Sequence, residues 1–226
     1  MCAFAPLPTA TACPGGHCIA PLWHDPDAPV DNPEFGLFQI GSRWSSTSSG
    51  STGSTGNPIT LRWGIVPDGT PMPTGNVAGE STDPSNLRAY LDGVFGEGPG
   101  GTDLTQRPWF THFDSSFNRW SQLAGLSYIY EPNDDGVSAS RTLGSWSGSA
   151  GVRADVRIGG HRLDGASNVL AYNYFPNNGD MVIDTTETTA ISSSTNNFRS
   201  FRNILMHEHG HGIGFNHVES DSSSQL

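Results

Sequence analysis

The eleven residues HEHGHGIGFNH, which end at His217, constrain this chain more than any other stretch because they carry four histidines at fixed spacings. On a helix, positions i and i+4 lie on the same face, so His207 and His211 can bind one ion. Gly212 and Gly214 favour the end of that helix and a reversal of the chain, which lets His217 return to the same ion. The spacing therefore predicts a three-histidine metal site at a helix end.

The type of ligand indicates which metal binds and what it does. Three imidazoles suit Zn²⁺ at about 2.0 to 2.1 Å and leave a fourth tetrahedral position for water, which distinguishes a catalytic zinc from a structural one. The HExxH spacing places Glu208 beside the ligands, where its carboxylate can accept a proton from that water. His209 points to nearly the opposite side of the helix, so we expect it behind the ligands or at the surface.

Hydrophobic periodicity predicts an α+β fold in which helices pack against a twisted sheet. The folded region begins with the strand pattern of ITLRWGIV at Ile59. Helical spacing follows over 85–96, with Ser85 as a cap, and over 109–124. That second helix has one apolar stripe, formed by Trp109, Phe113, Phe117, Trp120 and Leu123. Strands are predicted over 126–132, 154–160, 168–176 and 180–185, and a last helix from near Asn197 with Phe198, Phe201, Ile204 and Leu205 directed inward.

Composition limits the partners and suggests how the chain is divided. Lysine is absent and the formal net charge is -11, so nucleic acids and anionic membranes are poor partners. No apolar run reaches the roughly 20 residues that a membrane span needs. The Gly/Ser/Thr tract at 45–57 has the composition of a flexible linker. We therefore expect a partly ordered N-terminal segment at 1–44, a linker at 45–57 and a folded domain at 58–226.

The N-terminal segment carries all the cysteines of the chain, Cys2, Cys13 and Cys18. A disulfide framework for the main domain is therefore impossible. The segment also lacks the basic start and unbroken apolar core of a secretory signal.

Beyond these patterns, HEHGHGIGFNH resembles the zinc motif of the metzincin endopeptidases, most closely that of the matrixin (matrix metalloproteinase-like) branch. The resemblance covers most of residues 59–217. FNRWSQLAGLSYIYEP is similar to the first matrixin helix and the strand after it, and ADVRI to the third strand. The resemblance implies a twisted mixed sheet of about five strands with a core helix and an active-site helix. It also implies a secreted zinc endopeptidase that cleaves extended peptide or protein substrates, with Glu208 as general base and then general acid.

The segment LDGASNVLAYNYFPNNGDMVIDTTE is similar to the matrixin region that binds structural calcium. Four residues match the calcium ligands of the family: Asp164, Gly165, Asp184 and Glu187. Ca²⁺ requires hard oxygen ligands of this kind. The alternative is that Asp164 caps a turn and Asp184 ends a strand. Matrixins also hold a structural zinc, but Tyr172 and Val182 stand where two of its histidines are expected, and His161 alone cannot hold an ion, so we expect a single zinc.

The same resemblance identifies an edge strand that binds substrate, formed by Val169, Leu170, Ala171, Tyr172, Asn173 and Tyr174. Main-chain pairing along such an edge would align an extended peptide. The oligomeric state and the natural substrate are not indicated by the sequence.

Two departures from the family pattern bear on activity. Metzincins carry a methionine-containing turn beneath the zinc, and here it would have to follow Leu226, so we expect the domain to be truncated. Matrixin propeptides block the zinc with a cysteine in a Pro-Arg-Cys-Gly stretch, which this chain lacks, so we do not expect that route of latency. The alternative function is a catalytically inactive, metal-stabilised secreted module for adhesion or binding.

Overall fold

The computed structural model describes residues 17–19, 42–139, 148–166 and 168–217. The strands are β1 His17–Ile19, β2 Ser46–Thr47, β3 Gly50–Ser51, β4 Ile59–Ile65, β5 Leu126–Tyr130, β6 Val156–His161, β7 Ala171–Tyr174 and β8 Met181–Asp184. The helices are α1 Leu87–Phe95, α2 Phe110–Leu123, α3 Thr188–Ser192 and α4 Arg199–Gly212, with a 3₁₀ turn at Leu104–Gln106. Cys2, Cys13 and the position of any methionine turn lie outside the described residues. Strands and helices together confirm the predicted α+β class.

One mixed sheet forms the frame of the molecule, in the order β1-β7-β8-β6-β4-β5. The pairs β5-β4, β4-β6 and β6-β8 are parallel, whereas β7 is antiparallel to β8. The five strands from β4 to β8 match the predicted sheet, and β1 from the N-terminal segment adds a sixth, antiparallel to β7. Every residue of β6, β7 and β8 is buried. These three strands therefore carry structure on both faces, as expected in the centre of such a sheet.

An aromatic cluster fixes the helices to the sheet. Trp63 of β4 is 1% exposed, and its ring stacks on Phe117 of α2 with centroids 4.7 Å apart. Phe113 of α2 contacts Phe201 of α4 edge-on at 5.5 Å. Aromatic pairs of this geometry add to the free energy gained from burial. The cluster therefore sets the position of α4 relative to the sheet.

The predicted stripe of α2 is correct except at its end. Trp109, Phe113 and Phe117 are buried. Leu123, the last residue of the helix, is 55% exposed. Its prediction as a core residue is wrong, because the helix ends there and the next residues begin the turn into β5.

The start of α1 also differs from the prediction. Asn86 occupies the N-cap position and makes no side-chain cap hydrogen bond. The carboxylate of Asp68 instead accepts hydrogen bonds from the backbone N–H groups of Arg88 and Ala89, both at 2.9 Å. A charged acceptor at a helix N-terminus also interacts favourably with the helix dipole. Ser85 keeps part of the predicted role, since its hydroxyl accepts from the N–H of Leu87 at 3.4 Å, but Asp68, distant in sequence, accepts the two shorter bonds.

The tract at 45–57, expected to be a flexible linker, has an ordered conformation. It contains the β2-β3 hairpin, whose Ser48 donates to both carboxylate oxygens of Asp155 at 2.5 and 2.8 Å. The guanidinium of Arg43 donates to backbone carbonyls of Thr52 and Asn57. The scarcity of apolar side chains in the tract predicts flexibility. The charged side chains of Arg43 and Asp155, outside the tract, supply hydrogen bonds that hold it in one conformation. The domain boundaries proposed at 44 and 58 remain predictions.

None of the helices among the described residues is long and apolar enough to cross a bilayer.

Candidate zinc site and active site

The histidine motif lies at the C-terminal end of α4, as predicted. His207 and His211 are one helical turn apart, and α4 ends at Gly212. Gly214 has φ +107° and lies against the carbonyl of Ser42, so a side chain at this position would clash as well as strain the backbone. The chain then reverses and brings His217 back beside the helix. The predicted glycine break is therefore present.

The three predicted ligands converge. The Nε2 atoms are 3.2 Å apart between His211 and His207, 3.1 Å between His211 and His217, and 3.3 Å between His217 and His207. Tetrahedral bonds of about 2.0 to 2.1 Å place neighbouring ligand atoms about 3.3 to 3.4 Å apart, close to the observed triangle. Within the described part of the chain, this is the one group of three or more His, Cys, Asp or Glu side chains with ligand atoms within 4.8 Å of one another. The residues present fit a zinc ion.

The protonation state of the ligands also suits a metal. Nδ1 of His211 lies 2.7 Å from the carbonyl oxygen of Phe215, so Nδ1 carries the proton that it donates, and Nε2 keeps its lone pair. Burial lowers the pKa of His211 to about 4 and lowers that of His217. Both rings are therefore neutral near pH 7, as metal binding requires.

Glu208 follows the first ligand on α4 and is completely buried. Neither carboxylate oxygen has a hydrogen-bond partner among the described residues. Burial raises its pKa well above the ordinary value. A buried carboxyl with no structural partner is costly and indicates a group kept for a proton or a ligand.

His209 was expected behind the ligands or at the surface, and the surface alternative is wrong. Its side chain is 1% exposed, its Nε2 lies 2.6 Å from the hydroxyl of Tyr128, and its ring packs against Phe117 with centroids 4.6 Å apart. Burial lowers its pKa to about 3, so the ring is neutral. His209 therefore joins α4 to the aromatic core and takes no part in the histidine triangle.

Trp44 supports the metal site from a distant part of the chain, and the sequence did not predict this role. The indole Nε1–H of Trp44 donates to the carbonyl of Gly212, the last residue of α4, at 2.8 Å. The same ring lies over Gly179, where an added Cβ would approach it to 2.5 Å. Trp44 thus ties the end of the metal-binding helix to the loop between β7 and β8. In the sequence, this role of Trp44 is indicated only by the position of a large aromatic residue directly before the polar 45–57 tract.

The predicted substrate strand is present in part, but it is not the edge of the sheet, because β1 pairs with its outer side. Ala171–Tyr174 form β7, while Val169 and Leu170 precede it: the N–H of Val169 donates to Asp164, and the carbonyl of Leu170 accepts from Asp184. Phe175, next after β7, packs its ring 5.8 Å from that of His211. The strand therefore runs directly to the metal site.

Among the candidate calcium residues, Asp164 and Asp184 are in contact, but the carboxylates of Asp164, Asp184 and Glu187 are not all within 4.8 Å of one another, and these residues also make the contacts of a turn. The N–H of Asp164 donates to Asp184 at 3.3 Å, and Asp184 also accepts from the N–H and hydroxyl of Thr186 at 2.8 and 2.6 Å. Gly165 has φ +95°, and Glu187 is buried. Calcium binding and turn capping both remain consistent with this geometry.

His161, one of the histidines outside the motif, has local partners. Its Nε2 lies 3.1 Å from a carboxylate oxygen of Glu80, and its Nδ1 lies 2.8 Å from the carbonyl of Asp83. The hydroxyl of Tyr172 donates to the same Glu80 oxygen at 2.9 Å. Tyr172, which replaces an expected zinc ligand, thus belongs to a hydrogen-bonded cluster with His161.

Comparison with known proteins agrees with the site. A family model described as matrixin peptidase matches residues 100–224. The chain is 27% identical over 154 residues to the hatching enzyme of Paracentrotus lividus, covering 67% of this chain and 23% of that protein. It is 27% identical over 124 residues to metalloendoproteinase 1-MMP of Arabidopsis thaliana, covering 53% of this chain and 32% of the relative. It is also 28% identical to metalloendoproteinase 4-MMP of the same plant over 108 residues, or 46% of this chain and 29% of the relative.

Each match spans less than a third of the length of these relatives. The family model, however, covers more than half of this chain and includes the histidine triangle. The chain therefore belongs to the matrixin family of metallopeptidases.

Proposed function

We propose that this protein is a secreted endopeptidase that hydrolyses peptide bonds with one zinc ion bound by His207, His211 and His217. The observation that carries the proposal is the fully buried carboxyl of Glu208, which follows the ligand His207 on α4 and has no hydrogen-bond partner among the described residues. A purely structural zinc site needs no such carboxyl and usually takes a fourth protein ligand. This favours an enzyme over a metal-stabilised adhesion module.

The mechanism assigns separate tasks to the residues of the site. Zinc, when bound, would lower the pKa of a water towards about 7 and polarise the scissile carbonyl. Glu208 accepts the proton of the attacking water at a carboxylate oxygen and then donates it to the leaving amine. Burial raises the pKa of Glu208, which favours its role as proton donor to the leaving amine, and a cation bound nearby would favour the carboxylate form that accepts the proton.

Substrate alignment is assigned to β7. An extended peptide would pair with the backbone of β7 on the side where β1 now pairs, and so would have to replace β1, with its scissile bond carried towards His211 at the end of that strand. The packing of Phe175 on His211 supports this direction. Backbone pairing is nearly indifferent to side chains, so the proposed substrates are extended segments of protein or peptide rather than one sequence.

Calcium is proposed as a structural ion bound by Asp164, Gly165, Asp184 and Glu187. The proximity of Asp164 to Asp184 and the burial of Glu187 support the site. Secretion is proposed from membership of the matrixin family and is consistent with a calcium site, because extracellular modules bind calcium with dissociation constants near its external concentration.

The substitution Glu208→Gln tests the proposed chemistry. It preserves shape and removes the proton acceptor, so we expect kcat on a fluorogenic peptide to fall by about 10² to 10⁴-fold with zinc content unchanged. The matched control is Glu97→Gln, the same chemical change at an exposed residue, which should leave kcat unaltered. Equal turnover by the wild type and Glu208→Gln would contradict the proposal.

A further inference from the structure

The two tyrosines of β7 belong to a second apolar cluster, separate from the aromatic cluster that fixes the helices. Tyr172 is completely buried and Tyr174 is 4% exposed, and their rings meet edge-on with centroids 5.8 Å apart. Residues i and i+2 of a strand lie on the same face of the sheet, so both rings pack on one side of β7. This face of the proposed substrate strand is therefore held by its tyrosines.

Asn76 joins the hydroxyl groups of these two tyrosines. Its side-chain Nδ2 donates to the hydroxyl of Tyr172 and to that of Tyr174, both at 2.9 Å. A side-chain amide has two hydrogens, so one group can serve both acceptors. Asn76 lies in the connection between β4 and α1. A single side chain thus links two residues of β7 to a distant connection of the chain.

Glu80 of the same connection completes the hydrogen-bonded cluster. Its Oε1 accepts from the hydroxyl of Tyr172 at 2.9 Å, and its Oε2 accepts from the backbone N–H of Asn76 at 2.7 Å. The Glu80 side chain is 1% exposed, and Oε1 also lies 3.1 Å from Nε2 of His161. Burial opposes ionisation, but these hydrogen bonds lower the pKa of Glu80, so the group is a carboxylate near pH 7. Hydrogen bonds to a charged acceptor are stronger than those between neutral groups.

The cluster occupies the place where the resemblance to matrixins implies a structural zinc. Tyr172 and Val182 stand in the positions of two of the expected histidines. Burial raises the pKa of Tyr172, so its hydroxyl keeps its proton, and a valine offers no ligand atom. Both ring nitrogens of His161 lie within hydrogen-bond distance of acceptors, Glu80 and the carbonyl of Asp83. The residues present do not fit a zinc ion, and hydrogen bonds join them instead.

We propose that Asn76 and Glu80 are positioning residues that hold β7 for the substrate through the hydroxyls of Tyr172 and Tyr174, in place of a structural ion. The inference rests on the proposed function, in which the backbone of β7 aligns the peptide. A strand already held in its bound geometry loses less conformational freedom when a peptide pairs with it. The cluster should therefore lower KM for substrates that pair along β7.

Two sets of substitutions remove the same hydrogen bonds from opposite sides. Tyr172→Phe with Tyr174→Phe removes both hydroxyls and keeps both rings. Asn76→Leu removes the shared donor and keeps a side chain of similar size. Because both changes break the bonds of Asn76 to the tyrosines, their effects should add to less than their sum when combined. Tyr174→Phe alone, which breaks one bond, replaces the double variant if thermal melts show that the latter is unfolded.

Thr70→Val is the matched control. Thr70 lies in the same connection and is 2% exposed, and its hydroxyl donates to the carbonyl of Pro67 at 2.7 Å. The substitution therefore also removes one buried hydroxyl, but from a bond within the connection itself.

The kinetic test uses the zinc-loaded full chain with a long fluorogenic peptide that can pair with all of β7 and a short one that only spans the scissile bond. The double tyrosine variant should raise KM for the long peptide about threefold to tenfold, the effect of one or two hydrogen bonds, with kcat and zinc affinity unchanged. KM for the short peptide should stay near that of the wild type, because that peptide does not pair along the strand. Thr70→Val should match the wild type on both peptides.

Hydrogen exchange of the β7 amides reads the same effect without turnover. The double tyrosine variant and Asn76→Leu should both lose protection in β7, and Thr70→Val should retain it. If no protein turns over while this difference persists, the endopeptidase function fails and the hold of Asn76 and Glu80 on β7 stands.

Several results would overturn the proposal. An equal rise of KM for the long and short peptides, or no change in KM and exchange, would show that the hydroxyls do not position the strand. Equal losses in Thr70→Val would assign the effect to any missing buried hydrogen bond. Fully additive effects of the two sets of substitutions would separate Asn76 from the tyrosines. Two zinc ions per wild-type chain, one of them lost in the double tyrosine variant, would make the cluster a metal site.

Discussion

Glu208 and Asp184 are both buried acids, but their surroundings differ. Glu208 has no hydrogen-bond partner among the described residues, whereas one oxygen of Asp184 accepts two hydrogen bonds from Thr186. An isolated buried charge is costly, so a carboxyl without partners depends on a nearby cation or on protonation. The HExxH spacing predicted the place of Glu208. The role of Asp184 follows only from the outcome of a metal-binding test, because its present contacts serve a turn equally well.

Calcium binding can be tested at Asp184. If Asp184 ligates calcium, millimolar calcium should raise the melting temperature of the zinc-loaded protein. At a concentration about 100-fold above the dissociation constant, the stabilisation is about 2.7 kcal/mol, or roughly 5 to 10 °C for a domain of this size. The variant Asp184→Asn should lose this shift.

A turn carboxylate outside the candidate site provides the comparison. Asp83 contacts Ser81 in an exposed turn, so Asp83→Asn should retain the calcium shift of the wild type. Identical shifts in both variants, or no shift in the wild type, would favour turn capping over calcium binding at Asp184.

At the scale of elements, α4 illustrates what local sequence predicts and what it misses. Its apolar spacing placed Phe201, Ile204 and Leu205 in the core, and its glycines located the helix end. The tie from Trp44 to Gly212 joins residues 168 positions apart. No periodicity within either segment records such a contact, so only the folded chain shows it.

The hydrogen bond from Trp44 to Gly212 predicts that Trp44→Phe weakens zinc binding. Phenylalanine keeps an aromatic ring but loses the hydrogen bond to the helix end, which frees the turn that carries His217. Loss of groups that orient metal ligands typically lowers affinity by about 10 to 100-fold. We expect a loss near the lower value, measured by competition with a chromogenic zinc chelator.

Trp109→Phe is the matched control for this measurement. It also removes one indole hydrogen bond, to Asp92 at 2.7 Å, in the part of the core that holds α1 and α2. Its zinc affinity should remain that of the wild type. If both variants lost zinc affinity equally, the cause would be a general loss of stability, and Trp44 would have no specific role in supporting the site.

At the scale of the whole molecule, the sequence predicted where the five main strands lie along the chain because each has a clear apolar pattern between turn residues. It did not predict β1, since HCI is too short for any periodicity and lies among glycines and prolines. It also did not indicate the hydrogen bonds that Arg43 and Asp155, outside the 45–57 tract, make with that tract. Local patterns therefore predicted the main strands of the sheet and the histidine site. Long-range contacts, which such patterns do not record, pair β1 with β7 and join Trp44 to the end of α4.

X-ray absorption at the zinc edge of the zinc-loaded full chain tests the central claim most directly. The account predicts three imidazole nitrogens at about 2.0 to 2.1 Å and one oxygen in the remaining position. A sulfur at about 2.3 Å, or fewer than three imidazoles, would contradict a catalytic site built from His207, His211 and His217.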